Sequence, residues 1–176
     1  MRSDLWRVAT AVGVAMLAAC GGSSAERVPP IDAGGPQPPA DAFDATVERV
    51  VDGDTFVAYR DGRRLRVRLI GLDAPESVRP GSPVECYGVE SSRFLGRLLR
   101  EGAAVRVAYE PGGQRDRFGR ELWDVWLGDG RFVQGEVVRA GAAEAWAYPP
   151  QTRYADELAR IEDDARTSGA GLHGAC

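Results

Sequence analysis

The chain contains no lysine: all 22 of its basic residues are arginine, set against 26 acidic ones, for a formal net charge of −4. That balance excludes a protein that grips polyanions by bulk positive charge, because such binders carry a basic surplus. Arginine is the better fork for phosphate, so local phosphate contacts lose nothing by the absence. Histidine is almost missing too. The single one, His173, lies in a glycine-rich tail, and with the two cysteines Cys86 and Cys176 it makes a poor zinc set. Zinc chemistry and histidine-based proton transfer are set aside on that count. Long apolar runs are lacking as well. The one extended stretch, Val8 to Ala19, contains Gly13 and falls short of the roughly 20 residues that a membrane-spanning helix needs.

The flanks of that stretch give it a different meaning. Arg2 and Arg7 precede its apolar body, and Leu17-Ala18-Ala19-Cys20 closes it with small residues before a cysteine. A basic start, a short apolar middle and a small-residue exit form an export signal. The last four residues resemble the lipobox of bacterial lipoproteins, which implies that residues 1–19 are a signal peptide and that Cys20 carries lipid. Two or three acyl chains would anchor stably; an ordinary secretory signal with an incidental cysteine is the alternative. Residues 20–43 are rich in Gly, Ser, Pro, Ala and Asp, a composition too poor in large apolar side chains to order itself, so they are read as a flexible, lipid-anchored tether. Residues 44–176 have the length of one domain with one core. The expectation is an exported, extracytoplasmic cell-envelope lipoprotein, soluble beyond its anchor, monomeric, with no protein partner inferred. If Cys20 is acylated, Cys86 and Cys176 remain; export permits them to pair, and two free thiols are the other reading.

Along the domain, Ala45 to Val51 and Thr55 to Tyr59 have strand composition on either side of the turn signal Asp52-Gly53-Asp54. After the tight-turn pair Asp61-Gly62, residues Arg64 to Leu69 alternate strictly, which puts Leu65, Val67 and Leu69 inward and three arginines outward. Asp73-Ala74-Pro75-Glu76 reads as a loop, since proline bars further pairing. Pro83 to Leu99 reads as a helix with Phe94, Leu95, Leu98 and Leu99 on one face and Gly102 as its cap. Strands at Val105 to Tyr109 and Leu122 to Leu127 follow, then a helix from Val133 to Ala140. A last helix carries Tyr154, Leu158, Ile161 and Ala165 and ends near Gly169. The order β-β-β-α-β-β-α-α suits a mainly β, α+β fold: a five-stranded oligonucleotide-binding (OB) barrel with three helices packed outside.

Asp54, Asp73 and Glu76 place three carboxylates near strand ends, an oxygen-rich set that suits a hard cation such as calcium or magnesium. Taken singly, Asp54 and Asp73 also fit as turn residues that bond local backbone. Arg68 is the last of the alternating arginines, and Arg120 stands at the entrance to a strand. Either guanidinium could clamp a phosphate whose charge grows in a transition state. Arg64 and Arg66 read better as a solvated strand face. Spacing alone does not choose for Arg68 and Arg120.

Val51-Asp52-Gly53-Asp54-Thr55, then Val67-Arg68-Leu69-Ile70-Gly71-Leu72-Asp73-Ala74-Pro75-Glu76, then Asp116-Arg117-Phe118-Gly119-Arg120 resemble, in order and gaps, the thermonuclease (micrococcal or staphylococcal nuclease-like) family. Tyr87-Gly88-Val89-Glu90 and Leu172 also fit, and the likeness covers residues 45 to 176. It implies the OB barrel and a calcium-dependent phosphodiesterase that acts on DNA and RNA, cleaving the bond to the 5′ oxygen to leave 3′-phosphates. It implies that Asp54 and Asp73 bind calcium with the Ala74 carbonyl. Glu76 would orient or deprotonate the attacking water, while Arg68 and Arg120 hold the phosphate. Arg117, Phe118 and Tyr148 match positions beside bound nucleotide; Trp146 is read as core packing. The alternative is a non-catalytic OB-fold nucleic-acid-binding lipoprotein. A pure binder has no need of Asp54, Arg68, Asp73, Glu76 and Arg120 together.

Overall fold

The alternation in Arg63–Leu69 decides the architecture, because it gives one strand a fully apolar face that must be covered. A computed structural model describes residues 35–78, 81, 83–111, 113–150 and 153–176. The expected signal peptide, Cys20 and the first part of the expected tether lie outside the described residues. Strands β1 (Phe43–Val50), β2 (Thr55–Arg60), β3 (Arg63–Leu69), β5 (Ala104–Tyr109) and β6 (Glu121–Leu127) form a closed barrel in the order β1-β2-β3-β6-β5. All neighbours are antiparallel except β3 and β6, which run parallel with Arg68 opposite Leu122. Val67 and Leu69 point into the barrel with Phe56, Val105, Val107, Trp123 and Val125, all buried. This is the expected α+β OB barrel, and closure leaves it no open sheet edge.

Helices α1 (Gly88–Leu98), α2 (Val133–Arg139) and α3 (Ala155–Ser168) pack outside it, and a single-turn α4 (Leu172–Ala175) ends the chain. Each of the three longer helices buries an apolar stripe: Leu95 and the following Leu99 from α1, Val133, Val137 and Val138 from α2, and Leu158, Ile161 and Ala165 from α3. No described helix is long and apolar enough to cross a membrane. Gly169 caps α3 in the left-handed region.

Three sequence expectations need correcting. The helix expected from Pro83 begins at Gly88, because Tyr87 takes a left-handed conformation (φ 66°) that breaks the turn before it. Its cap is Leu99 rather than Gly102, whose N–H donates to the Val47 carbonyl on β1 instead. Asp73 lies in strand, not loop: β4 (Leu72–Asp73) pairs with β7 (Glu144–Ala145), setting Asp73 opposite Glu144. Upstream of β1, residues 35–42 form no helix or strand but touch the barrel, where Trp126 Nε1 donates to the Pro36 carbonyl at 2.6 Å. Cys86 and Cys176 are joined in a disulfide with their Cα atoms 6.0 Å apart.

Candidate active site

The turn between β1 and β2 exists to place one carboxylate. Asp54 donates its N–H to Asp52 Oδ1 at 3.1 Å, and its carbonyl accepts the Leu69 N–H at 2.9 Å, so it is pinned between two strands. Gly53 beside it has no room for a side chain: a Cβ there would stand 2.0 Å from Ser91 Oγ and 2.6 Å from the Ala74 Cβ. The turn therefore sits tight against α1 and the segment after β4. The Asp54 side chain is only 4 % exposed. Its Oδ1 accepts the Thr55 hydroxyl at 2.8 Å, and its Oδ2 accepts the Ala74 N–H at 3.2 Å and pairs with Arg68 Nη1. Burial, partly countered by the Arg68 charge, pushes the Asp54 carboxyl up to about 6.

Arg68 bridges the two aspartates. Its Nη2 reaches Asp73 Oδ1 at 2.6 Å and donates to the Leu72 carbonyl at 3.2 Å. Burial alone would depress this guanidinium, but Asp54 and then Asp73 outweigh it and hold it above its usual value. Asp73, at the end of β4, keeps an exposed carboxylate. Arg120 is set by its own loop: Nε donates to Asp116 Oδ2 at 2.6 Å and the backbone N–H to Oδ1 at 2.9 Å. Burial works against the charge on Asp116, yet the bonds from Arg120 prevail and hold its carboxyl below the ordinary range. Arg120 Nη1 also contacts Thr55 Oγ1 at 3.3 Å. The Thr55 hydroxyl thus links the two guanidinium groups through Asp54.

A groove of about 580 Å³ opens over this network, walled by Arg68, Asp73, Arg117, Phe118, Arg120, Trp146 and Tyr148. Phe118 and Tyr148 are largely exposed on its rim, and Arg117 stacks over the Phe118 ring at 4.7 Å. Trp146 corrects an expectation: it is 55 % exposed on the groove wall rather than packed in the core, at the residue after β7 where its backbone N–H donates to the Gly71 carbonyl at 2.9 Å. Asp54 lies behind Arg68, beneath the groove rather than on its wall. Ala74 enters through its N–H, and the contact shown for it is not through its carbonyl. Glu76 follows two residues later. Its Oε1 accepts the Val78 N–H at 2.9 Å, and its backbone is bonded to Glu85.

Asp54, Arg68, Asp73 and Arg120 therefore converge at one end of the barrel, and Arg117, Phe118 and Tyr148 border the same groove. Residues 66–174 match the model of the staphylococcal nuclease homologue family, which covers every residue named in this network except Asp54, Asp52, Gly53 and Thr55. The chain belongs to that family. It is 41 % identical over 122 residues to the thermonuclease of Staphylococcus intermedius, covering 68 % of this chain and 70 % of that protein. It is 38 % identical to the thermonuclease of Staphylococcus hyicus, over 68 % of this chain and 69 % of the relative. Endonuclease YncB of Bacillus subtilis is 33 % identical, over 69 % of this chain and 57 % of the relative. In this member of the staphylococcal nuclease homologue family, Thr55 and Asp116, which stand inside two of the motif blocks with no role assigned there, join the network beneath the groove, and Trp146 joins its wall. The i,i+4 pairing of Asp116 with Arg120 carried a local signal; the bond from Arg120 to the Thr55 hydroxyl spans 65 positions and carried none.

Asp54 and Asp73 offer carboxylate oxygens, the chemistry of a hard cation, and both carboxylates are held by the Arg68 guanidinium. Among the described residues no cluster of three or more His, Cys, Asp or Glu side chains is arranged to hold a metal. A cation here would be met by two carboxylates, with carbonyl and water oxygens completing its shell, an arrangement calcium accepts.

Proposed function

We propose that the chain is a calcium-dependent nuclease that hydrolyses phosphodiester bonds in DNA and RNA, cleaves the bond to the 5′ oxygen to leave 3′-phosphates, and is displayed outside a membrane by a lipid on Cys20. The observation that carries it is the pair of guanidinium groups joined through Thr55 and Asp54 at one groove that Asp73 also lines. Calcium held by Asp54, Asp73 and the Ala74 carbonyl would supply positive charge for a phosphate oxygen and lower the pKa of a nearby water. Arg68 and Arg120 then bind the non-bridging oxygens, where planar forks match a phosphate and gain strength as its charge grows. Asp116 fixes the Arg120 fork in advance, so little reorganisation is needed at the moment of reaction. The Glu76 carboxylate accepts the proton of the attacking water. The water oxygen bonds to phosphorus as the bond to the 5′ oxygen breaks, and that oxygen leaves with a proton. Phe118, Trp146 and Tyr148 offer apolar faces on which the flanking sugar and base lie, with Arg117 beside them. Because a few local groups rather than bulk charge hold the substrate, the fall of affinity with salt is set by that small number of phosphate contacts.

Digestion of DNA and RNA with calcium or with EDTA, beside a Glu76→Gln variant, tests this. Cleavage is expected only with calcium, and Glu76→Gln lowers turnover by about 10²-fold or more while the barrel stays folded. No cleavage by the wild-type chain with calcium would overturn the enzyme reading in favour of a binding module.

A further inference from the structure

Among the described residues, Glu76 and Glu85 close the loop between β4 and α1 with a reciprocal pair of bonds. The Glu76 N–H donates to Glu85 Oε2 at 2.9 Å, and the Glu85 N–H donates back to the Glu76 carbonyl at 2.9 Å. Just beyond, α1 begins so close to the same carbonyl that a Cβ at Gly88 would stand 2.6 Å from it. The segment bearing Glu85 is tied to the start of α1, where the Gly88 N–H donates to the Glu85 carbonyl at 3.0 Å, but its described residues bury little of their own surface. Residues 83–86 are all exposed, and the apolar side chain among them, Val84, is 56 % exposed. A segment fastened by no buried apolar contact is among the first to open.

A covalent bond fastens it from the other side. Cys86, the residue after Glu85, is bonded to Cys176 at the chain terminus. That terminus is itself seated. The Cys176 N–H donates to the Leu172 carbonyl at 2.9 Å, and the Leu172 N–H donates to the Gly141 carbonyl at 2.9 Å, tying α4 to the turn after α2. A path of contacts therefore runs from the helical layer through the disulfide to Glu85 and on to the backbone of Glu76.

We infer that Glu85 is a positioning residue for Glu76, and that the Cys86–Cys176 disulfide holds it in place, so that turnover depends on the oxidised bridge. This rests on Glu76 acting on the attacking water. Reduction by a dithiol would break the S–S bond with two electrons and two protons, leaving two protein thiols and the dithiol as its own disulfide. The exposed segment could then move away from Glu76, and displacement of a reacting group by about 1 Å can cost up to about 100-fold in rate.

The experiment compares steady-state cleavage of DNA with calcium by the full chain in several states, each checked for folding by near-ultraviolet circular dichroism. Glu85→Ala, with the disulfide intact, is expected to lower kcat about tenfold with KM unchanged within about twofold. Glu85→Gln, which keeps an oxygen to accept the Glu76 N–H, restores most of the rate. Reduction by a dithiol, or the paired change Cys86→Ser and Cys176→Ser, gives a comparable loss, and reoxidation of the wild-type chain reverses it. On a Glu76→Gln background neither Glu85→Ala nor reduction lowers the residual rate further, because the group being positioned is already gone. Wild-type kcat in Glu85→Ala and in the reduced, folded chain would overturn the inference. So would an equal loss on the Glu76→Gln background, which marks general loosening. Undiminished cleavage by Glu76→Gln itself would instead overturn the role of Glu76 and the inference with it.

Discussion

Replacing Asp124 with asparagine should stabilise the protein at alkaline pH and change little at acidic pH. Asp124 stands on β6, off the groove wall, and is 2 % exposed. Its carboxylate receives little compensation. Gln134 Nε2 is 3.5 Å from Oδ1, Arg153 Nη1 is 3.7 Å from Oδ2, and the buried carboxyl of Glu110 lies close enough to repel it. Burial first, then the Glu110 charge, pushes Asp124 from its ordinary 3.8 up to about 7, with Arg153 pulling the other way. A folded-state value above the unfolded one means that the native protein binds this proton more tightly. The resulting stability is complete below 3.8 and drains away as pH rises through 7. At 1.36 kcal/mol per pH unit, the rise from 3.8 to about 7 is worth about 4 kcal/mol. The amide of the variant would carry no charge at either extreme. Loss of the long contact to Arg153 gives back about 1 kcal/mol, so Asp124→Asn should gain about 2–3 kcal/mol at pH 8 and lie within about 1 kcal/mol of wild type at pH 5. In Tm that is about 5–10 °C at pH 8. Urea titrations at both pH values measure it directly. Asp54, which also titrates upward of its ordinary range, is common to both proteins and cancels in the difference. An equal loss of stability at pH 5 and pH 8 would refute the reasoning. It would mean that the ionised pair with Arg153 is a net support rather than a poorly compensated charge.

Two further outcomes follow from the same geometry. Reducing the disulfide between Cys86 and Cys176, separated by 90 positions in sequence, should destabilise the fold by roughly 4–5 kcal/mol through the entropy regained by the unfolded chain; a urea midpoint that falls by less than about 0.5 M would show that the unfolded chain is already constrained there. Arg120→Lys keeps the charge but cannot span Asp116 and Thr55 with a planar fork, so kcat for DNA cleavage should fall about 10²- to 10³-fold with the melting curve unmoved; a lysine variant at wild-type rate would remove the bidentate clamp from the mechanism.

The barrel was legible because its strands are written in a local code. Arg64 to Leu69 alternates without a fault, and the inward set Leu65, Val67 and Leu69 is the set that packs, with Leu65 at the margin. Helices α2 and α3 were legible for the same reason at their own period. The short strands β4 and β7 were not, since two residues cannot show a period and their pairing depends on the chain returning after α2. Tyr87 was unreadable in a different way. Its left-handed backbone starts α1 late, and the residues before it, which continue a passable helical pattern, are used instead to hold Glu76 and reach Cys176.

The site divides along the same line. Asp54, Arg68, Asp73 and Arg120 could be named from short motifs, but no motif states that one guanidinium would bridge both aspartates, or that the Thr55 hydroxyl would join that pair to the second guanidinium. Those links arise from register: Thr55 faces Arg68 across the β2–β3 ladder, and Arg68 faces Leu122, two residues beyond Arg120, across the β3–β6 ladder. Closing the barrel brings these rows together, and period-two patterning fixes only which face a residue takes, never which partner it meets across the sheet. Trp146 shows the converse. Its size and aromatic character argue for the core, yet its backbone extends the β4–β7 pairing with a bond to Gly71, and the residue is part of the groove wall.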